Sequence, residues 1–323
     1  MDLYSVFYDL VSQVPRGMVT TYGALAEALG DMAAARAVGY MLSVNPDPEN
    51  VPCYRVVHSD GKVGKYTHPL GTQEKVRRLE NDGIRVEGER IVGFENVLFT
   101  DFHTDHPLRR LREEQKRKRA MLSLETDITG NDVAAVDVSY HGDEAFAAAV
   151  VQRGSEVHVR TAVARVRFPY IPGYLFYREF PAIREVVRDI DGVLLIDGNG
   201  VLHPSGFGFA SQAGVELGIP TIGVAKSLLM GQVEGQNVIV GGRPVARVLG
   251  RHCIVSPGHR VSLEDAVGIV RLLPNRHLYP MLLTMAHREA NSLRLSELAH
   301  GGGERHLREG KEQGEQEGQG NAH

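Results

Sequence analysis

Acidic side chains at the ends of short apolar runs are the first chemistry the sequence offers. Val193–Ile196 is a run of apolar residues too brief for a helix and suited to a buried strand. It stops on Asp197, and Gly198 and Gly200 then break regular structure and let the backbone approach a ligand. A second run, Val133–Val136, ends on Asp137. In α/β sheets ligands sit at the carboxyl ends of strands, so both carboxylates stand where a metal site is built. By itself, an Asp-Gly after an apolar run more often marks a turn. Two such strands side by side would bring the acids close together, and both stay ionised cheaply only with a cation between them. A hard divalent ion, Mg²⁺ or Mn²⁺, is the natural partner for oxygen ligands.

Three further residues could join them. Glu179 lies just before Pro181 and is a third acid, delivered from the start of an expected helix Pro181–Ile190. Lys226 follows the strand-like run Thr221–Val224, where it either neutralises a phosphate or is an ordinary surface lysine. His287 lies on the helical stretch Leu282–Glu289, and a lone His is usually structural, so its candidacy depends on the others. A separate reactive group is Cys53, set between Pro52 and Tyr54-Arg55 beside Val56-Val57. It is either a small buried thiol or a thiolate nucleophile with a neighbouring cation or base.

These residues need elements to position them. Thr20–Gly30 has a short helix pattern, with Thr21 as N-cap and Gly30 as stop, and a second helix follows over Asp31–Val44. Leu25, Leu29, Val38, Met41 and Leu42 face inward, and two short helices across a Gly turn suggest a helix-turn-helix. The second carries Arg36 among alanines, either reaching into a groove or simply solvated. Arg109–Arg119 is dense in cations and reads as a helix, with Leu108, Leu111 and Gln115 at helical spacing. Val157–Arg167 alternates as an antiparallel strand does. It leads into Phe168–Tyr174, where two prolines stiffen a loop with Tyr170 at its apex. That loop is either a wedge for a base stack or a Pro-aromatic core corner. Gly241-Gly242 suits a hairpin turn, and Ser262 with Asp265 caps a helix Leu263–Leu273.

The bulk properties bound the rest. A chain of 323 residues exceeds one ordinary domain. At 42% hydrophobic and 24% charged it is globular, and no apolar run reaches bilayer length. The expectation is a soluble, cytoplasmic monomer without a signal peptide or a membrane partner. Cys53 and Cys253, far apart and outside any CxxC, fit a reduced compartment and no structural zinc. The net charge of −4 does not advertise nucleic-acid binding. The Gly-, Glu- and Gln-rich stretch 301–323 is expected to be disordered.

Two resemblances follow from these motifs. TTYGALAEALG, AARAVG, NP, PCYRVV and SDGKVGKY stand in the order and spacing of the DNA-binding, catalytic domain of O6-alkylguanine-DNA alkyltransferases. The resemblance implies a small, mainly helical, winged-helix-like domain over 1–103 that binds DNA bearing O6-alkylguanine. By that resemblance Arg36 fills the space of a flipped-out guanine, Tyr22 assists the flip, and Asn45 and Tyr66 line the pocket. Cys53 takes the alkyl group irreversibly, and flipping is needed because O6 cannot be attacked inside the stack. The family's Cys-His-Arg is Cys53-Tyr54-Arg55 here, and its Glu falls on Asp82, with Glu80 the alternative. Tyrosine is a poor base near neutral pH. Relatives that lack the Cys only bind lesions, so a non-enzymatic lesion-binding module is the alternative reading.

VAAVDVSY, FPYIPGYLFYRE, DGNGVLHPSGFGFASQAG, PTIGVAKS and SPGHR resemble endonuclease V over 104–300. That implies an α/β RNase H-like domain with a mixed sheet. It also implies Mg²⁺- or Mn²⁺-dependent cleavage at the second phosphodiester 3′ to deoxyinosine, leaving a 3′-hydroxyl and a 5′-phosphate; inosine-containing RNA is the alternative substrate. By position Asp137 and Asp197 bind metal and Glu179 completes the cluster. His287 assists the water or a second metal, Lys226 contacts the scissile phosphate and Tyr170 is the wedge. Ser205 stands where the family often has Arg.

Overall fold

The computed structural model describes residues 1–276 and 279–316, with side chains through residue 299. Packing divides the chain into two compact units, Met1–Ala120 with Val166–Arg178, and Met121–Arg165 with Glu179–His323.

In the first unit α1 (Leu3–Ser12) is followed by β1 (Thr20–Thr21) and α2 (Tyr22–Leu29). Thr21 caps α2, its hydroxyl accepting from the Ala24 amide at 3.0 Å. Gly30 ends α2 at φ +99°, and a Cβ there would lie 2.9 Å from the Arg109 backbone nitrogen, so glycine is required twice over. Asp31 caps a 3-10 turn over Met32–Ala34, from which α3 (Ala35–Ser43) continues. A further 3-10 turn, Cys53–Arg55, leads into β2 (Val56–Val57), parallel to β1. Then come α4 (Gly71–Asn81), the hairpin β3 (Val86–Glu87) and β4 (Arg90–Ile91), α5 (Phe94–Val97) and α6 (Pro107–Arg119).

Motif content suggested a division at 103/104, and packing divides the chain elsewhere. Leu108 and Leu111 of α6, with Phe168, Ile171 and Tyr174, share one apolar core with Leu25, Leu29, Val38 and Met41. Burying those side chains holds the 166–178 segment in the first unit.

The second unit is built on a nine-stranded mixed sheet in the order β10-β11-β12-β13-β9-β8-β5-β6-β7. Its strands are β5 (Asp132–His141), β6 (Glu144–Arg153), β7 (Glu156–Arg165), β8 (Gly192–Asp197) and β9 (Thr221–Ala225). They continue with β10 (Gln232–Glu234), β11 (Asn237–Val240), β12 (Arg243–Gly250) and β13 (Cys253–His259). β5, β8 and β9 are mutually parallel and the remaining pairings antiparallel. Gly241 and Gly242 turn β11 into β12 with φ +59° and +75°.

The helices are α7 (Leu175–Val186), α8 (Phe209–Leu217), α9 (Leu263–Leu272) and α10 (Met281–Gln316), and a short pair β14 (Asn275–Arg276) and β15 (Tyr279–Pro280) precedes the last. Apolar residues of α9 and α10, among them Val267, Val270, Leu282 and Ala286, bury against Ala135, Val193, Leu195 and Val224 of the sheet.

One expectation is corrected. The helix placed at Pro181–Ile190 starts at Leu175, with Pro181 inside it and Glu179 within its body rather than ahead of it. Burial of Tyr174 and packing of Tyr177 in the first unit's core begin the helix early, despite the amide that Pro181 lacks. Glu144–Arg153, for which the pattern offered no element, is a buried strand. The tail expected to be disordered, 301–323, lies outside the residues whose side chains are described, although α10 runs to Gln316. Among the described residues no helix is long and apolar enough to cross a membrane.

Candidate functional site

Two sites emerge, one in each unit. In the second unit the register pairs Val136 with Ile196 across parallel strands β5 and β8. Asp137 and Asp197 are the next residues of each strand, so the pleat delivers two carboxylates side by side. Each is held by a nitrogen base. Lys226, just beyond β9, donates to Asp197 Oδ2 at 2.5 Å, and His287 Nδ1 lies 2.7 Å from Asp137 Oδ2. The amide of Asn291, one turn on along α10, is 3.2 Å from His287 Nε2. An amide donor there makes Nε2 the acceptor, so Nδ1 carries the proton towards Asp137. Ser139 fastens β5 to α10 through the Ala290 carbonyl at 2.8 Å.

The loop after Asp197 is pinned by glycine. A Cβ on Gly200 would fall 1.9 Å from the Pro257 carbonyl oxygen, so only glycine lets the loop lie this close to β13.

Burial pushes the Asp137 carboxyl above the usual carboxylate range, His287 pulls it down, and the Asp197 charge pushes it up again. Tyr279, which the sequence did not single out, belongs to this cluster. Burial raises its phenol, followed by the charge of Asp197 and a hydrogen bond with it, then the charge of Asp137. Lys226 Nζ stands 5.4 Å from its ring centroid. No periodic signal precedes Tyr279, because it sits in a two-residue strand.

This donor chemistry fits a hard divalent cation: two adjacent carboxylates, one strained by burial and by its neighbour. Among the described residues no three His, Cys, Asp or Glu side chains converge on one point. Glu179, on α7, is therefore not gathered with the two aspartates into the three-donor set that the sequence suggested. Lys226 and His287 supply the contacts to the two carboxylates instead.

In the first unit Cys53 is a free thiol, 7% exposed, at the head of its 3-10 turn. Its Sγ donates to the Tyr66 hydroxyl at 3.8 Å. Asn45 donates to the Val51 carbonyl at 3.3 Å, bracing the loop that leads to Cys53. Tyr22 opens α2 and packs its ring 5.5 Å from that of His58. Burial pushes the Tyr22 hydroxyl up, and the Cys53 charge adds to it.

Tyr54 donates its hydroxyl to Asp82 Oδ2 at 3.0 Å, while Arg55 reaches the same oxygen at 2.7 Å and the Tyr54 hydroxyl at 3.0 Å. Asp82 is thus saturated by Tyr54, Arg55 and Arg16. Glu80, the alternative, is exposed on α4. Arg36 is exposed on α3 and in no ion pair among the described residues. Tyr170 is 60% exposed, whereas Phe168, Ile171 and Tyr174 around it are buried. The loop is therefore a core corner and a projecting ring at once. Ser205 accepts or donates with His203 Nδ1 at 2.7 Å.

Known proteins match both units. A family model described as Endonuclease V matches residues 114–288, and one described as 6-O-methylguanine DNA methyltransferase, DNA binding domain, matches residues 2–84. A Picrophilus torridus protein named bifunctional methyltransferase/endonuclease is 46% identical over 294 residues, 91% of this chain and 97% of the relative. A Nanoarchaeum equitans protein named bifunctional methyltransferase-like/endonuclease is 30% identical over 265 residues, 81% of this chain and 82% of the relative. The crystal structure of Streptomyces avermitilis endonuclease V is similar at TM-score 0.54 and 32% identity, covering 59% of this chain and 93% of that one. Ciona intestinalis endonuclease V, in complex with a 23mer DNA containing an inosine followed by a ribo-adenosine, is similar at TM-score 0.53 and 25% identity, covering 61% and 100%. With the two family models matched one after the other along the sequence, and a two-part relative aligned over nearly its whole length, the chain belongs to the bifunctional methyltransferase/endonuclease family, an alkyltransferase DNA-binding domain joined to an endonuclease V domain.

Proposed function

We propose that the chain repairs two DNA lesions, cutting at the second phosphodiester 3′ to deoxyinosine and transferring alkyl groups from O6-alkylguanine to Cys53. The nuclease half rests on one observation above all: Asp137 and Asp197 end neighbouring parallel strands, with Lys226 and His287 against them. Asp137 and Asp197 would hold a divalent cation, Mg²⁺ or Mn²⁺. When bound, such an ion polarises a phosphoryl oxygen and makes water a nucleophile at neutral pH. Lys226 offers its ammonium to the scissile phosphate. His287, held between Asp137 and Asn291, would assist the attacking water. Tyr170, rigid between prolines and exposed, suits a wedge beside the lesion.

The test is a paired assay: cleavage of an inosine-containing duplex with and without Mg²⁺, and intact-mass analysis after incubation with O6-methylguanine DNA. Cutting at the stated bond only with the ion, and a mass gain on Cys53, support both halves. The same inosine sequence as RNA tests the alternative substrate. A second reading of the first unit, lesion binding without transfer, is favoured by the hydroxyl of Tyr54 standing where the family has an imidazole. Tight binding of O6-methylguanine DNA without a mass gain would establish it.

A further inference from the structure

An aromatic ring backs the lysine of the nuclease site. Tyr279 opens β15 and stands directly before Pro280, which confines it to extended backbone. β15 pairs with β14, Tyr279 opposite Arg276, and the Met281 amide donates to the Pro274 carbonyl at 2.8 Å. The ring is thus presented from a braced corner just ahead of α10. Half-buried, it packs against the apolar cluster that contains Val224, Val255 and Leu282.

Lys226 needs such a partner. Its side chain is 54% exposed, and an ammonium on a flexible four-carbon stem loses much conformational freedom when held in one place. Asp197 holds it at 2.5 Å. In the nuclease reading that carboxylate also takes a cation, and a second positive charge on it weakens its grip on the ammonium. The ring of Tyr279 is a neutral partner: Lys226 Nζ stands 5.4 Å from its centroid, within the range of a cation–π contact. This hold does not depend on the charge of Asp197. The phenol is hydrogen-bonded with Asp197 as well, so one side chain touches both members of the pair.

We propose that Tyr279 is a positioning residue of the nuclease, its ring holding the Lys226 ammonium in place for the phosphate of the strand to be cut; this rests on the nuclease reading. Tyr279 acts through Lys226 and not on the reacting atoms. Removing the ring therefore does nothing further once the Lys226 amine is gone, which separates positioning from a general structural role.

The experiment compares full-length wild type, Tyr279→Leu, Tyr279→Phe, Lys226→Ala and the Tyr279→Leu/Lys226→Ala double variant, with folding read by thermal melting. Binding of an inosine duplex is followed by fluorescence anisotropy in EDTA, with excess undamaged duplex, across salt concentrations. Lys226→Ala should make the slope of log affinity against log salt shallower by about one, the loss of one phosphate contact. Tyr279→Leu should lose most of that one, the double variant no more than Lys226→Ala, and Tyr279→Phe, which keeps the ring, almost none. With Mg²⁺, single-turnover cutting by Tyr279→Leu should be about fivefold slower, the worth of one cation–π contact at a partly exposed site. A wild-type slope in Tyr279→Leu or in Lys226→Ala, or a further loss in the double variant beyond Lys226→Ala, would overturn the proposal. So would Tyr279→Phe falling as far as Tyr279→Leu, which would make the phenol on Asp197 the operative group. Should Tyr279→Leu not fold, reductive ¹³C-methylation of wild type decides. The Lys226 methyl resonance, identified by its loss in Lys226→Arg, should be moved upfield by the ring current, and an unmoved resonance removes the contact. The binding slopes need no cutting, so wild type that shows them yet leaves inosine DNA intact with Mg²⁺ sinks the nuclease reading alone.

Discussion

The hydroxyl of Tyr174 donates to Asp31 Oδ2 at 2.6 Å, joining residues 143 positions apart. Arg112 reaches the same oxygen at 2.9 Å and lays its guanidinium 4.3 Å from the Tyr174 ring centroid. Asp31 also caps the turn that leads into α3, the helix bearing Arg36. A segment found within the endonuclease V motif set is thereby fastened to the helix-turn-helix.

Tyr174→Phe keeps the buried ring but removes a bond to a charged acceptor, and should cost about 1.5–3 kcal/mol. Burial pushes the Asp31 carboxyl up, but the Tyr174 hydroxyl, the Ala33 amide and Arg112 together hold it below the usual carboxylate range. A depressed folded-state value contributes stability above the unfolded value, lost as pH falls through the folded one. The wild-type melting temperature should therefore drop as pH falls below about 4, and Tyr174→Phe should show a shallower drop. Identical pH slopes for the two proteins would disprove the link.

Asp137→Ala and Asp197→Ala should each abolish cutting at inosine and leave alkyl transfer intact. A readout independent of activity is available. An ion that binds only the folded protein raises stability by about 2.7 kcal/mol at a hundredfold excess over Kd. Added Mg²⁺ or Mn²⁺ should raise the melting temperature of wild type, and less so that of either variant. Full cleavage by either variant would remove these residues from the site.

Tyr54→Phe should lose about 1 kcal/mol of stability with the hydroxyl that bridges Asp82 and Arg55. Its transfer rate should change far less than the roughly 10²-fold that loss of a general base brings, because that hydroxyl is a donor. Single-turnover kinetics on O6-methylguanine DNA measure it. A hundredfold fall would make Tyr54 the relay.

Gly200→Ala drives a Cβ into the Pro257 carbonyl, a backbone atom that cannot swing aside. Overpacking of this kind costs about 3 kcal/mol or more. The melting temperature of the second unit should fall, and cleavage should fall with it, since the loop starts at Asp197. Wild-type stability in Gly200→Ala would show that the loop has room to move.

How much of this was legible along the chain can be judged residue by residue. Asp137 and Asp197 were readable because an apolar run that ends in an acid is a local pattern, and the caps at Thr21 and Ser262 were readable for the same reason. The hairpin at Gly241-Gly242 likewise needs only two residues that tolerate positive φ. Glu144–Arg153 was not readable, because its alanines carry no strand preference of their own; burial on both sides makes it a strand.

The amino-acid sequence by itself determined which chemical groups exist and in what local frames: two strand-end carboxylates, a thiol after proline, a tyrosine in place of histidine. Tertiary structure alone decided what each group faces. Lys75 reads as one more cation on a charged helix until folding buries its amine against the Val56 carbonyl. Tyr174 reads as part of an aromatic loop until folding sets its hydroxyl on Asp31. The reason is physical: caps and turns are settled by neighbours along the chain, whereas burial, and with it the cost of leaving a charge or donor unpaired, is settled only when distant segments pack.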